Sequence, residues 1–224
     1  VSGRRYIKVY MDFKVFDLGL IEYNQAFNFQ KEIWQGVKEN KIPSSIIICE
    51  HYPVITLGRN TKKANIFVDP SQLKKNGIEV IKTDRGGDIT YHGPGQLVFY
   101  PIFNLNNFRR DIAFFLRNLE EVVIRYLYEL GIVAERITGL TGVWVGGKKI
   151  SSIGIAIRKW TTYHGLSLNV YRPCLLNFGL IRPCGMDIEV TSLEDILGRV
   201  KRDKIKNGIV RKFGEIFKYQ GEKR

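Results

Sequence analysis

Short runs of hydrophobic residues, separated by polar and glycine-containing turns, follow one another along the chain and predict strands. Some alternate in polarity like half-buried strands, and others are continuously apolar like buried ones. The predicted strands are residues 6–16, 46–49, 54–57, 78–81, 97–103, 132–137, 142–145, 149–157 and 163–170. Because no repeat, low-complexity linker or boundary interrupts them, the sequence predicts one domain over residues 1–224.

Fewer segments carry apolar residues at helical spacing. The clearest begins after Asp111, a favourable N-cap, and ends at Gly131. Thr191-Ser-Leu-Glu194 has the spacing of a capping box and predicts a short helix to Leu197. The other predicted helices are residues 21–39, 70–75 and 203–219. Helices this few and this unevenly spaced predict an α+β fold, a mixed β-sheet flanked by helices, rather than regular βαβ winding.

A glycine-rich segment, residues 85–96 with the sequence RGGDITYHGPGQ, joins two of the predicted strands. Its glycines and proline let the backbone approach a ligand closely, and Arg85 and His92 add a guanidinium and an imidazole. A long hairpin connection is the plainer interpretation of a Gly-Gly pair. The concentration of special backbone residues and functional side chains favours a binding loop.

Length and composition narrow the class of protein. The chain has 224 residues, 44% hydrophobic and 25% charged, which is typical of a globular protein. It has no signal-peptide pattern and no apolar run of the roughly 18 residues that cross a membrane, so we expect a cytoplasmic protein. Because the chain begins with Val, residues 1–10 are expected to be a flexible or added leader, with Met11 as a candidate natural start.

The charge of the chain is strongly basic. Its formal net charge is +13, and residues 199–224 hold ten Lys or Arg against three Asp or Glu, a net +7. A basic excess attracts acidic partners, either nucleic acid or acidic proteins. Lys-rich surfaces also accompany growth in hot habitats, so charge alone does not decide between these interpretations.

The three cysteines are too few and too irregular for a disulfide framework or a zinc site. Cys184 lies in Arg-Pro-Cys-Gly, a turn that can present a thiol, which attacks as a thiolate when a cation or proton acceptor is near. Cys174, followed by two leucines, is expected to pack in the core. Alternation along a strand puts Cys49 and His51 on one face, but two ligands do not make a metal site.

Lys148 and Lys149 begin an otherwise apolar predicted strand after two glycines. A lysine turned inward there loses hydration and becomes a usable base, whereas its neighbour is expected to point to solvent. His164-Gly165 repeats the His-Gly step of the glycine-rich loop, although a lone histidine is usually structural.

Four segments, in this order, resemble the motifs of the octanoyltransferases of lipoate biosynthesis. They are RGGDITYHGPGQ (85–96), KKISSIG (148–154), HGLSLN (164–169) and PCG (183–185). The similarity spans about residues 13–197, and four ordered motifs are more specific than any one of them. The resemblance implies a catalytic domain like that of biotin and lipoate protein ligases, with a mixed sheet flanked by helices.

The resemblance also implies a reaction. An octanoyl (or lipoyl) group passes from acyl carrier protein to a cysteine, which maps onto Cys184, and then to a lysine of a lipoyl-dependent enzyme domain. The lysine that activates this cysteine, as an acid and a base, maps onto Lys149. The implied acyl-binding residues are Arg85, Gly86, Gly87, Asp88, Ile89, Thr90, Tyr91, His92, Ser152, Ile153, Gly154, Gly165, Leu166 and Ser167. Ser167 stands where alanine is frequent in the family, which predicts a more polar wall.

Cofactors and partners follow from the same resemblance. It implies no cofactor and no metal, because the thioester arrives already activated. The implied donor is octanoyl-acyl carrier protein, and the implied acceptors are lipoyl domains of 2-oxoacid dehydrogenase E2 subunits and the glycine cleavage H protein. These partners are typically acidic, which suits a basic enzyme. Neither a membrane nor nucleic acid is implied.

Two other functions are kept as alternatives. An ATP-dependent lipoate or biotin protein ligase on the same fold would adenylate a free acid and need no cysteine, so acyl transfer without ATP separates it. A nucleic-acid-binding module is suggested by the charge, but the sequence has no recognisable nucleic-acid-binding motif and its charge is concentrated at one end. Tight, salt-sensitive binding to nucleic acid would support that alternative.

Overall fold

The computed structural model describes residues 5–6, 13–61, 70–181 and 188–218. The strands in this part of the chain are β1 (Arg5–Tyr6), β2 (Lys14–Ile21), β3 (Ser45–His51), β4 (Val54–Leu57), β5 (Glu79–Lys82), β6 (Ile89–His92), β7 (Gln96–Ile102), β8 (Gly142–Val145), β9 (Lys148–Arg158) and β10 (Thr161–Asn169). The α-helices are α1 (Tyr23–Lys38), α2 (Pro70–Lys75), α3 (Ile112–Glu129), α4 (Leu193–Leu197) and α5 (Arg202–Lys218). Short 3-10 helices cover Leu105–Asn107, Arg172–Leu175 and Phe178–Leu180.

Two mixed sheets form the framework. The larger has seven strands in the order β1-β2-β3-β7-β10-β9-β8, in which β2 and β3 are parallel and the other neighbours antiparallel. The smaller has three strands in the order β5-β4-β6, with β4 and β5 parallel. The predicted α+β fold with a mixed sheet and flanking helices is confirmed, and the smaller sheet is added to it.

Hydrophobic residues pack on both faces of the larger sheet, because successive side chains along each strand point to opposite faces. In β7, Phe99 belongs to a core shared with α3 and α5 on one face. Val98 and Tyr100 belong to a second core under α1 on the other face. A third hydrophobic cluster, which includes Ile55 and Tyr91, packs against the smaller sheet. The space between the α1 face and the smaller sheet is where polar residues of the glycine-rich loop come to lie.

Several basic residues of α5 form ion pairs with other elements of the protein, and two of them, Lys206 and Lys212, are largely buried. This helix packs its apolar residues against the first core, and its basic residues reach carboxylates on β2, β3 and α3. The pairs are Arg202–Glu50, Lys206–Asp17, Arg211–Glu129 and Lys212–Glu129, with N to O distances of 2.8, 2.7, 2.5 and 2.5 Å. The local basic excess therefore serves partly in ion pairs that join α5 to β2, β3 and α3, not only as an exposed patch.

The glycine-rich segment is not a loop throughout. Ile89–His92 forms β6, which pairs antiparallel with β4 so that Thr90 faces Thr56 and Tyr91 faces Ile55. A four-residue run between glycines gives a weak local signal, and its strand conformation depends on pairing with a neighbour distant in sequence. The prediction of one continuous turn-rich connection over residues 85–96 is corrected to two turns around a short strand.

Two further predictions differ from the structure. Residues 132–137 do not form a strand, and Glu135 makes only an isolated bridge to Trp144. The capping box lies one residue later than predicted, since Ser192 accepts from Asp195 N and the Asp195 carboxylate accepts from Ser192 N. Ser192 is the N-cap because its backbone is extended, with φ −130° and ψ 163°, and the helix begins at Leu193.

The beginning of the chain is only partly described. Within the predicted leader, Arg5 and Tyr6 pair with Asp17 and Phe16. β2 begins at Lys14, later than the strand predicted at residues 6–16. Among the described helices, none has both the length and the apolar character needed to cross a membrane.

Candidate active site

A cavity of about 220 Å³ lies between the α1 face of the larger sheet and the smaller sheet. All of the predicted acyl-binding residues line it except Gly86 and Tyr91: Arg85, Gly87, Asp88, Ile89, Thr90, His92, Ser152, Ile153, Gly154, Gly165, Leu166 and Ser167. Three segments far apart in sequence are thus brought together around one space.

The two exceptions have physical reasons. Tyr91 alternates away from Thr90 and His92 along β6, so its ring packs against Phe178 in the third cluster, and its hydroxyl accepts from Asn177. Gly86 is held at the sheet by its backbone, whose N–H donates to Ile155 O at 2.7 Å. Both residues position the cavity wall without lining it.

Glycines let the loop and the sheet approach closely. A Cβ on Gly154 would lie 2.8 Å from Gly86 O, so only glycine allows the loop to cross β9 at this point. Gly165, which pairs with Gly154 across β9 and β10, would overlap Phe99 O if it had a side chain. The His164-Gly165 pair and the Gly86-Gly87 pair therefore shape the cavity through close contacts of the backbone.

Arg85 fixes the start of the glycine-rich loop through hydrogen bonds. Its side chain is buried, and it donates from Nη2 to Thr56 O at 2.6 Å and from Nη1 to Gly86 O at 3.1 Å. Charge-assisted bonds of this kind fix geometry more firmly than neutral ones. The guanidinium therefore ties the start of the loop to β4.

His92 is buried beside Gln96, with 2.6 Å between His92 Nδ1 and Gln96 Oε1. Burial, together with the nearby His51, lowers the pKa of His92 to about 3. At neutral pH this imidazole is uncharged, so it offers hydrogen bonding rather than a positive charge to a ligand.

One end of the cavity is a chain of polar groups that includes Tyr23 and His164. Asp84 is 2.9 Å from His164 Nε2, and hydrogen bonding to His164 lowers the pKa of Asp84 to about 2. Burial lowers the pKa of His164, so a neutral imidazole donates Nε2–H to the carboxylate. Its Nδ1 is then the acceptor for the Tyr23 hydroxyl, 3.4 Å away. His164 has φ +57°, a strained conformation held by these contacts.

Lys149 lines another part of the cavity because β9 contains a bulge. Ser151 pairs with Val143 and Lys149 pairs with Trp144, which leaves Ile150 as an extra residue opposite β8. Regular alternation would direct Lys149 to the same side as Ser151, away from the cavity. The extra residue turns Ile150 into the first core and Lys149 into the cavity, as bulges beside active sites often do.

The surroundings of Lys149 fix its position. The side chain is 8% exposed, and its Nζ lies 4.9 Å from the centre of the Trp144 ring, where an ammonium is attracted to the π face. A Cβ on Gly142 would lie 2.7 Å from Lys149 Cε. Lys148 instead points outward, 53% exposed, and pairs with Glu189 at 2.8 Å. The prediction that one lysine of the pair turns inward is confirmed.

The predicted nucleophile, Cys184, lies outside the described residues. Cys49 and Cys174 are both buried, and burial raises the pKa of Cys174 to about 12 and that of Cys49 well above its usual range. Cys49 Sγ is 3.4 Å from His51 Nε2, as alternation predicted, but burial lowers the pKa of His51 to about 4. Neither of these thiols is suited to attack as a thiolate.

Several cavity residues were not predicted as ligand contacts. They are Tyr23, Val98, Tyr100, Gly139, Leu140, Thr141 and His164. The alternation of β7 already places Val98 and Tyr100 on one face, which is a usable signal. Tyr23 and Leu140 give none, because they reach the cavity from a helix start and a connecting segment distant in sequence. Among the described residues, no group of three or more His, Cys, Asp or Glu could hold a metal ion.

Comparison with known proteins gives a consistent result. Residues 22–214 match the family model of the lipoyl protein ligase A/B catalytic domain. The octanoyltransferase of Caldicellulosiruptor bescii is 47% identical over 89% of this chain and 89% of its own. The octanoyltransferase of Caldanaerobacter subterraneus subsp. tengcongensis is 40% identical, over 93% of this chain and 92% of its own.

Solved structures show the same fold at lower identity. Ta0514, a putative lipoate protein ligase from T. acidophilum with bound lipoic acid, has a TM-score of 0.76 and 20% identity over 92% of this chain and 86% of its own. A lipoate-protein ligase A bound with ATP has a TM-score of 0.77 and 21% identity over 92% of this chain and 85% of its own. At such identities the likeness concerns the fold alone.

Proposed function

This chain belongs to the octanoyltransferases of the lipoyl protein ligase A/B catalytic domain family, acyltransferases of lipoate biosynthesis, and from that premise we propose a thioester mechanism on Cys184. The proposed donor is octanoyl-acyl carrier protein. The proposed acceptor is a lysine of a lipoyl domain, as in 2-oxoacid dehydrogenase E2 subunits, or of the glycine cleavage H protein.

The observation that carries the proposal is the inward turn of Lys149. A buried amine beside an acyl-sized cavity can take a proton from a thiol and return it to a leaving group. The histidines of the cavity are less suited, because burial lowers the pKa of both His92 and His164.

The backbone of Lys149 is attached to the segment that follows Cys184. Lys149 N donates to Glu189 O at 2.7 Å, and Thr191 N donates to Lys149 O at 3.0 Å. Glu189 is five residues after Cys184, a stretch of chain that spans at most about 18 Å. On the other side, Ile181 is buried in the third cluster. These two attachments support the pairing of Cys184 with Lys149.

The first half-reaction moves the acyl group to the enzyme. Lys149 takes the thiol proton of Cys184, and the thiolate attacks the thioester carbonyl of the donor. A new carbon–sulfur bond forms to Cys184, and the carbon–sulfur bond to the donor breaks. The departing thiolate takes the proton from Lys149, so no charge or proton is left over.

The second half-reaction forms the amide. The acceptor amine attacks the carbonyl of the acyl-enzyme, and the carbon–sulfur bond to Cys184 breaks. Lys149 receives the proton lost by the amine and returns it to the Cys184 sulfur. ATP is not required, because the donor thioester is already activated.

The cavity supplies binding energy for a medium-length chain. An octanoyl group has six methylenes, and burying them contributes about 5 kcal/mol at about 0.8 kcal/mol each. Val98, Tyr100 and Leu140 provide apolar surface for this contact. Binding of the chain would hold the carbonyl near Lys149 while the partner protein exchanges.

The test is the intact mass of the protein after mixing with octanoyl-acyl carrier protein in the absence of ATP. We expect a gain of one octanoyl group, absent in Cys184→Ser and retained in Cys174→Ala. Cys174 is the matched control because its thiol is buried and outside the cavity lining. Retention of the added mass in Cys184→Ser would refute the thioester, and a strict need for ATP with free octanoate would favour the ligase alternative.

A further inference from the structure

Four aromatic rings, here called the ring cluster, pack together at the cavity: Tyr23 of α1, His51 of β3, His92 of β6 and Tyr100 of β7. The centre of the His51 ring lies 5.2 Å from that of Tyr23, 5.8 Å from that of His92 and 6.0 Å from that of Tyr100. The other three rings line the cavity, whereas His51 is fully buried and does not. His51 therefore lies behind the lining rings and contacts each of them.

Hydrogen bonds fix the rings in place. Because burial keeps His51 neutral, its Nδ1–H donates to Ile21 O at 3.0 Å and its Nε2 accepts from the Tyr100 hydroxyl at 2.7 Å. The Tyr100 hydroxyl is thus directed at His51. His92 and Tyr23 are also hydrogen-bonded to neighbouring side chains. The lining rings therefore form a fixed surface, which a ligand meets without having to satisfy the Tyr100 hydroxyl.

The ring cluster and Lys149 lie at opposite ends of the cavity. Lys149 is placed at β8, since its Nζ lies over the Trp144 ring and a Cβ on Gly142 would touch its Cε. Tyr100 is on β7, and β10 and β9 lie between β7 and β8. Neighbouring strands are about 4.8 Å apart, so about 14 Å separates Tyr100 from β8 across the sheet.

This distance suits an octanoyl chain. An extended carbon chain advances about 1.3 Å per bond, so the seven bonds from carbonyl to methyl span about 9 Å. The carbonyl needs about 3 Å from a reacting group, and the methyl about 3.5–4 Å from a ring atom. The total is about 16 Å, close to the separation available, whereas a dodecanoyl chain would exceed it by a further 5 Å or about four bonds.

We propose that the ring cluster is the end wall that limits the acyl chain to about eight carbons, and that His51 is the positioning residue that holds this wall. The inference rests on the proposed acyl transfer and names the residues that set its chain length. An octanoyl chain ends in contact with the lining rings. A longer chain must displace rings that are supported from behind, and such overpacking is unfavourable.

The test measures kcat/KM for formation of the acyl-enzyme from octanoyl, decanoyl and dodecanoyl carrier-protein thioesters. In the wild type we expect at least a tenfold fall from octanoyl to dodecanoyl. His51→Ala removes an imidazole, which is larger than two methylenes, so the decanoyl to octanoyl ratio should rise about tenfold as those methylenes become buried. An unchanged ratio in folded His51→Ala would overturn the role of His51.

Two control variants separate the end wall from a general loosening of the protein. In His51→Gln, the amide can donate to Ile21 O and accept from the Tyr100 hydroxyl, so the wild-type ratio should be kept. Val37→Ala removes methyl groups from the buried core under α1, outside the cavity lining, and should lower stability without changing the ratio. A rise in Val37→Ala equal to that in His51→Ala would overturn the assignment to the ring cluster.

The outcomes distinguish this inference from the proposed function. A wild type that accepts no acyl group from any of the three thioesters refutes the transfer itself. A wild type that accepts dodecanoyl as fast as octanoyl keeps the transfer and refutes the end wall. If His51→Ala does not fold, Tyr23→Leu shortens the wall from the α1 side, and the decanoyl to octanoyl ratio should again rise about tenfold. An unchanged ratio in that variant would equally refute the end wall.

Discussion

Replacing Gly142 by alanine tests whether the position of Lys149 controls the reaction. Gly142 has φ +145°, which L side chains rarely adopt, and a Cβ there would lie 2.7 Å from both Lys149 Cε and Ser151 O. Ordinary carbon contacts begin at about 3.5 Å, so the lysine must retreat by nearly 1 Å. A displacement of this size at a reacting group can cost about 100-fold in rate.

The same substitution also strains the backbone. A side chain in this φ region costs about 1–3 kcal/mol, and the crowding adds a similar amount, so the free energy of unfolding should fall by about 2–5 kcal/mol. Formation of the octanoyl-enzyme, followed by rapid quench and intact mass, should slow about 10- to 100-fold in the folded protein. Urea unfolding, measured in parallel, gives the folded fraction.

Gly131→Ala separates strain from displacement. Gly131 has φ +76° and nothing within 4 Å of a built Cβ, and it follows α3 and is not among the residues that line the cavity. This control should lose stability through strain alone and keep the wild-type rate of acyl-enzyme formation. If Gly142→Ala is folded and equally fast, the argument that the position of Lys149 sets the rate is refuted.

Two other predictions concern stability. Burial holds His51 and His92 neutral, with pKa values lowered to about 4 and about 3, so the unfolded chain binds protons first as the pH falls below about 6.5. These two histidines should therefore make the free energy of unfolding decline toward pH 4 by up to about 2.7 kcal/mol per pH unit, and His164, whose pKa burial also lowers, adds to the slope; a profile equally steep in His51→Gln would contradict this. Glu50→Ala removes the acceptor of Gly95 N–H, at 2.7 Å, and the partner of Arg202, so urea unfolding should show a loss of about 1–3 kcal/mol. Arg202→Met keeps the Gly95 bond and should lose less; an equal loss would show that this bond contributes nothing.

Much of the fold follows from local patterns. Alternation in β7 separates Phe99 from Val98 and Tyr100, and the stripe of α3 identifies its buried face. Asp111 caps α3 as its position predicts, accepting from Phe114 N at 2.9 Å. These elements are predictable because each depends on neighbours a few residues away.

The candidate site is less predictable because it depends on pairing between distant strands. The conformation of β6 requires β4, and the direction of Lys149 requires the register of β8. Tyr23 reaches the cavity only because α1 packs across the sheet. The resemblance to family motifs identified the segments that meet around the cavity. It did not identify which side chains of each segment point into the cavity: Tyr91 lies in one of these segments but points away.

The bulge at Ile150 makes the site depend on the numbers of residues in β8 and β9 as well as on their types. One residue inserted between Val143 and Trp144 would keep every cavity side chain in the chain, yet it would give Ile150 a partner on β8 and restore regular pairing. Lys149 would then point to the same side as Ser151, toward the first core, and the cavity would lose its amine. We therefore expect this stretch of β9 to tolerate substitutions such as Ile150→Val, whereas the single insertion in β8 should abolish activity. In any collection of random variants, insertions opposite Ile150 should abolish activity more often than exchanges of its side chain.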